Sequence, residues 1–277
     1  MYYRSLKYQT SSLATARYSF LKTLNYDPWG TNAFLGVGAF FGITGKTMKI
    51  LAFSDIHGEI GAVKALVKAV RGKTYDAIIF CGDFASFSDA QAVYEEIMEQ
   101  IQKIGAPCYY VFGNRDRSFD PFGIGLCIDP EATFPTHLSD QKVEIGEGIS
   151  ITSNPSLIDE KTIFISHLTG THQKDALLHI EGHVHYGIVY KNYINTGFLF
   201  RDDFHDEPPG LGCYWEINIE NGKIEIEWVN LGIMKPIDCK VHKDFIFFVP
   251  DEWNICPFCR GDYNENWLRF FGRGAKI

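Results

Sequence analysis

The spacing of apolar and polar positions changes character at Met48. Residues 1–47 keep neither a helical nor a strand period for long and are rich in Tyr, Ser and Thr. From Lys49 the pattern alternates between two periods. Lys49–Asp55 reads as a first buried strand. Ile60–Arg71 places apolar residues at 60, 63, 66, 67 and 70, one face of a helix. Asp76–Asp83 encloses Ala-Ile-Ile-Phe-Cys, a short buried strand. Ser88 can cap a helix running to about Ile104, with Val93, Ile97, Ile101 and Ile104 on one side. Pro107–Asn114 reads as a third strand. Strands alternating with helices argue for parallel pairing through right-handed crossovers. Beyond them the pattern predicts strands at Ile149–Ser153, Thr162–Ser166 and Ile188–Asn195. Cys213–Ile219 and Lys223–Val229 flank Asn221-Gly222, a favoured hairpin turn. From about Gly232 this order fades into an aromatic-rich tail with several cysteines. The expected division is an extension over 1–47, one α/β domain over 48–231 and a C-terminal extension over 232–277.

Composition narrows the class. Of 277 residues, 45% are hydrophobic and 22% charged, enough apolar surface to offset the ordering entropy of a folded chain. No run approaches the roughly 18 apolar residues of a membrane-spanning helix. The best candidate, Ala33–Thr44, is short and holds three glycines. No membrane partner is expected. The net charge of −8 and a pI near 5.6 argue against a broad nucleic-acid-binding face, although a local basic groove, and hence nucleic acid, stays open. Seven scattered cysteines favour a reducing, cytoplasmic setting with metal or core roles over a disulfide framework. Cys81 and Cys108, inside apolar strands, read as small core residues. Residues 1–47 carry five Lys/Arg and one acid, Asp27. They fit a loosely ordered extension, a stretch upstream of a true start at Met48, a targeting peptide, or a packed extension.

The chemistry sits where the strands stop, as sites do in α/β sheets. The strand ends supply Asp55-Ile56-His57, Gly82-Asp83, Gly113-Asn114-Arg115-Asp116 and His167, and Glu181-Gly182-His183-Val184-His185 follows a further apolar run. An isolated Asp-x-His is commonly a helix cap with a surface imidazole, and an isolated Gly-Asp is commonly a turn. Together they deliver two carboxylates, four imidazoles and one amide to one rim. Seven ligands exceed what one Zn²⁺ or Mg²⁺ takes from protein. They suit two metals sharing a carboxylate, about 3.5–4 Å apart.

This ordered set resembles the motifs of the calcineurin-like metallophosphoesterases, most closely their small stand-alone phosphodiesterase branch, over about residues 48–231. The resemblance implies a four-layer α/β/β/α sandwich of two mixed sheets flanked by helices. It implies that Asp55, His57 and His185 hold one metal, that Asn114, His167 and His183 hold the other, and that Asp83 bridges them. The activity implied is a dinuclear-metal phosphoesterase hydrolysing phosphodiester bonds by attack of a metal-bridging hydroxide, with Mn, Fe, Ni or Zn as the metals. Asp116 would orient a ligand imidazole or the Asn114 amide.

One position departs from the family pattern. Many members carry a His after Gly-Asn, read as protonating the leaving group; here it is Arg115. Arginine is a poor proton donor but pairs well with phosphate oxygens. Proton donation would then fall to His137, His172 or His205; alternatively Arg115 forms a surface ion pair with Asp116 or Asp120. In the tail, Cys239-x-x-His242 and Cys256-Pro-Phe-Cys259 have the spacing of structural zinc ligands, so one additional zinc is a candidate. The expected substrate is a small phosphodiester. The competing readings are a non-catalytic scaffold of the same fold, a DNA nuclease, and a phosphomonoesterase or protein phosphatase.

Overall fold

The computed structural model describes residues 19–25, 47–84, 90–117, 134–202, 208–261 and 270–271. Ser88, Asp120 and His205 lie outside the described residues. Two mixed sheets face each other. The first has seven strands in the order β1 (Ser19–Asn25), β15 (Lys223–Asn230), β14 (Cys213–Glu220), β2 (Met48–Phe53), β3 (Ala77–Phe80), β4 (Cys108–Tyr110) and β5 (Thr136–His137). The second has eight, in the order β16 (Met234–Ile237), β17 (Ile246–Pro250), β10 (Gly187–Tyr190), β11 (Tyr193–Thr196), β9 (Leu178–Glu181), β8 (Thr162–Ser166), β7 (Ile149–Thr152) and β6 (Lys142–Gly146). A two-stranded ribbon, β12 (Phe200–Arg201) with β13 (Gly210–Leu211), lies beside them.

The period-two pattern of β2 and β3 explains the layering. Ile50, Ala52, Ala77 and Ile79 face inward against Ile151, Ile163, Ile165, Ile180 and Ile194 of the second sheet. Leu51, Phe53, Ile78 and Phe80 face outward. There they meet α1 (Ile60–Ala69) through Ala62, Val63 and Leu66, and α2 (Ala90–Gln102) through Ile97, Met98 and Ile101. Fully burying such a side chain contributes about 1.5–3 kcal/mol. β2, β3, β4 and β5 pair in parallel, as the strand–helix alternation requires. Cys81 and Cys108 are core residues.

Several boundaries differ from the sequence reading. The third strand stops at Tyr110, and Asn114 opens the single-turn helix α3 (Asn114–Arg117). Ile188–Asn195 is a tight hairpin, β10 to β11, turning at Lys191 with φ 50°. The described residues from 232 onward join the second sheet and its outer layer. β16 and β17 extend the second sheet, because Phe247 and Val249 need a face to cover. Together with Phe245, Trp253, Cys256, Phe270 and Phe271, and the single-turn helix α4 (Pro257–Arg260), they form the layer over Ile188, Tyr190 and Tyr193. At the other end, β1 pairs with β15 from Ser19↔Val229 to Asn25↔Lys223, covering an edge that would otherwise be open. No helix among the described residues is long and apolar enough to cross a membrane.

Candidate metal centre

β2, β3 and β4 of the first sheet and β8 and β9 of the second lead into one rim, and the backbone there is bent to turn side chains together. Asp55, His57, Asp83, His183 and His185 all have left-handed φ, between 51° and 78°. Such a conformation costs a non-glycine residue about 1–3 kcal/mol and persists only where the surroundings impose it. The impositions are visible. The Asp55 N–H donates to the Gly82 carbonyl at 2.9 Å, and the His57 N–H to the Asp83 carbonyl at 3.1 Å. The glycines before Asp83 and Asn114 are a matter of space. A Cβ on Gly113 would lie 1.9 Å from Asp83 Oδ1, and one on Gly82 would lie 2.5 Å from the Gly113 nitrogen.

Two groups of donors result. In the first, Nε2 of His185 stands 3.2 Å and Nε2 of His57 3.8 Å from Asp55 Oδ1, with the two nitrogens 3.0 Å apart. In the second, Asn114 Oδ1 lies 2.9 Å from His167 Nε2 and 2.8 Å from His183 Nδ1, with those nitrogens 3.2 Å apart. Asp83 joins the groups. Its Oδ1 accepts the Arg115 N–H at 2.8 Å, and its Oδ2 faces His167 Nε2 at 3.4 Å. Donors of Asp55, Asp83 and His167 lie within 4.8 Å of one another. All seven residues expected as ligands are therefore brought together.

The electrostatics fit a cation. Asp55 is fully buried, yet its Oδ1 accepts no hydrogen bond. Its Oδ2 is occupied by the Ser54 hydroxyl and by the His183 N–H at 3.0 Å. Burial pushes the Asp55 carboxyl up, but the imidazoles of His185, His167 and His57 outweigh it and hold it well below the carboxylate range. Burial drives His57 down to about 4, against the pull of Asp55. Burial also opposes a charge on His167, but Asp83 and Asp55 win and hold it up at about 9. The two carboxylates thus draw a proton to the place where a cation would sit. The Nδ1–H of His167 donates to the Cys81 carbonyl at 2.7 Å, which turns Nε2 toward the rim.

The Asp116 carboxylate, a candidate for orienting a ligand imidazole or the Asn114 amide, gathers three backbone N–H groups, those of Asp83 at 2.8 Å, Phe84 at 3.0 Å and Gly113 at 2.7 Å, and so ties the β3 and β4 loops together. His172, a candidate proton donor, is buried among Tyr190, Tyr193, Phe270 and Phe271 in the outer layer of the second sheet, where it packs. His137 instead packs with tilted rings on Phe112, two residues before Asn114, with ring centroids 4.4 Å apart. Arg115 is half-buried on the rim. The sequence marks Glu181 only by its place at a strand end. It is buried, and it takes the Tyr193 hydroxyl at 2.7 Å and the Thr169 N–H at 2.5 Å, clasping the loop after His167. Asn195 holds the Gly182 carbonyl at 2.6 Å. The available signal was polarity inside otherwise apolar strands beside a ligand.

A second cluster lies in the C-terminal segment. His242 Nδ1 is 3.4 Å from Cys239 Sγ, 3.4 Å from Cys256 Sγ and 3.6 Å from Cys259 Sγ.

The family model for calcineurin-like phosphoesterases matches residues 48–215. The chain belongs to that family. Among solved structures it is similar to YfcE, a phosphoesterase from E. coli, at 17% identity over 62% of this chain and 91% of that one, with a TM-score of 0.39. It is also similar to the nuclease MPE from Pseudomonas putida, at 15% identity over 60% and 83%, TM-score 0.36. A phosphoesterase-like protein from Streptococcus pneumoniae aligns at 16% identity over 77% and 95%, TM-score 0.37. Comparison with curated proteins gives no match.

Proposed function

We propose that the chain is a two-metal phosphodiesterase acting on small phosphodiesters. The observation that carries the reading is the buried Asp55 Oδ1, which accepts no hydrogen bond and faces two imidazole nitrogens on a rim of seven metal donors. Asp55, His57 and His185 would hold one divalent cation and Asn114, His167 and His183 the other, with Asp83 between them. Such a pair supplies Lewis acidity and a water of lowered pKa for attack on phosphorus. The protein's part is to fix the donors. Asp116 locks the Asp83 and Gly113 backbones, and the Cys81 carbonyl sets the His167 tautomer. Arg115, its backbone anchored on Asp83, offers a guanidinium to a phosphate oxygen. A diester carries one less charge than a monoester, so one guanidinium beside the metals neutralises it more fully. Among the described candidates for proton donation, His137 packs against the loop carrying Asn114.

A non-catalytic scaffold of the same fold could lose metal ligands without losing the fold, whereas all seven candidates are present here. The acidic charge balance disfavours a nuclease with a long DNA track. The test is metal analysis of the purified chain, followed by turnover of mono- and diesters sharing one leaving group. Wild type should bind two metals through nitrogen and oxygen and prefer the diester. Asp83→Asn should lower that metal content and reduce turnover by orders of magnitude while the fold survives. Full activity in a folded Asp83→Asn variant would sink the two-metal reading.

A further inference from the structure

Behind the second sheet lies a set of donors that phosphoester chemistry does not use. We propose that Cys239, His242, Cys256 and Cys259 bind a structural Zn²⁺ that staples the C-terminal segment over the outer face of the second sheet, beneath the strand that follows His183 and His185. This site stands independently of the phosphodiesterase reading.

The geometry is that of an ion-sized tetrahedron. With zinc–sulfur bonds of about 2.3 Å and a zinc–nitrogen bond of about 2.0 Å, sulfur–sulfur edges come to about 3.8 Å and sulfur–nitrogen edges to about 3.5 Å. Here Cys239 Sγ and Cys259 Sγ are 3.6 Å apart, and His242 Nδ1 lies 3.4–3.6 Å from all three sulfurs. All four donor atoms fall within 4.8 Å of one another. No disulfide joins the pair, since that bond is about 2.05 Å long.

The backbone supports thiolates. The His242 N–H points at Cys239 Sγ and the Cys259 N–H at Cys256 Sγ, each at 3.4 Å. Both ligand pairs therefore form the same turn, with an amide dipole on the first sulfur. Three sulfurs and one imidazole select a softer ion than the oxygen- and nitrogen-lined rim does.

The staple has a purpose in the fold. Its first pair lies between β16 and β17 and its second follows β17, so one ion joins the two loops that flank that strand. Phe258, between Cys256 and Cys259, packs on Phe245 and Phe247 with centroids 5.2 and 5.1 Å away. β17 pairs with β10, Gly187 opposite Phe248, and Trp253 packs on Tyr186, the residue after His185. The zinc-held layer thus backs the strand entered from the metal-binding loop.

The full-length protein loaded with Co²⁺ should show thiolate-to-cobalt charge-transfer absorption, which the nitrogen and oxygen donors of the other centre cannot give. Asp55→Asn should leave the band intact, and Cys256→Ser/Cys259→Ser should abolish it. X-ray absorption of the zinc-loaded wild type, which needs no variant to fold, should show zinc–sulfur scattering near 2.3 Å amounting to about three sulfurs per chain. Removing this zinc should lower the melting temperature by several degrees. Sulfur-free zinc coordination, a cobalt band that survives the double substitution, or recovery of a Cys239–Cys259 disulfide would overturn the site. An unchanged melting temperature after zinc removal would overturn its stapling role.

Discussion

Replacing Asp116 with Asn tests whether the loops bearing the candidate ligands are held by one carboxylate. In the wild type Oδ2 accepts the Asp83 and Gly113 N–H groups, at 2.8 and 2.7 Å, and Oδ1 accepts that of Phe84 at 3.0 Å. The side chain is buried, so water cannot substitute. Asn keeps one carbonyl oxygen, which can stay on Asp83 and Gly113. Its amide group then confronts the Phe84 N–H, leaving a buried donor unsatisfied at about 1–3 kcal/mol. The two retained bonds lose their charge assistance, about 1 kcal/mol each. The loss should total about 3–5 kcal/mol, survivable within the usual 5–15 kcal/mol of a folded domain. Urea unfolding should show a lower midpoint with an unchanged slope. Metal affinity at the rim should fall by about 10–100-fold, because Asp83 is no longer fixed by its own N–H. A cost below about 1 kcal/mol together with wild-type metal binding in Asp116→Asn would show that this carboxylate does not hold the loops.

Two further outcomes follow from the same structure. Without a histidine after Asn114, diester turnover should fall steeply as leaving-group pKa rises. Arg115→Ala should raise KM more than it changes the pH profile, and Arg115→His should lift activity on poor leaving groups by up to about 10²-fold; a wild-type rate indifferent to leaving-group pKa would remove Arg115 from this role. His172, 3% exposed, is held down at about 4 by burial, which outweighs its bond to Asn192 Oδ1. Between about pH 6.5 and 4 the unfolded chain therefore binds the extra proton, so this residue's stabilisation, complete above pH 6.5, is lost as pH falls, by about 3 kcal/mol over the window. Urea midpoints across that range should fall less steeply in His172→Phe; equal slopes in the two proteins would refute the assignment.

The residues that meet on the rim were legible along the chain. Asp55, His57, Asp83, Asn114, His167, His183 and His185 each follow a short apolar run, and parallel strands deliver their ends to one edge whatever the wider topology. The hairpin at Asn221-Gly222 was equally local, since both residues take left-handed φ at the turn, 51° and 75°. Other features depend on contacts between distant segments. The β10–β11 turn at Lys191 carries no Gly or Pro, so two strands read as one. β16 contains Pro236, which suits only an edge position, and its place became visible once β17 paired it to β10. Asp116 could not be read because two of its three donors, Asp83 and Phe84, lie 33 and 32 residues away and are backbone groups with no side-chain signature. The two Cys/His pairs were legible as pairs, but their meeting at one point depends on β17 folding between them. Periodicity and ligand spacing are written locally along the chain. Register, left-handed ligand backbones and long-range amide clamps arise only when distant segments exclude water from one another and must satisfy each other's polar groups.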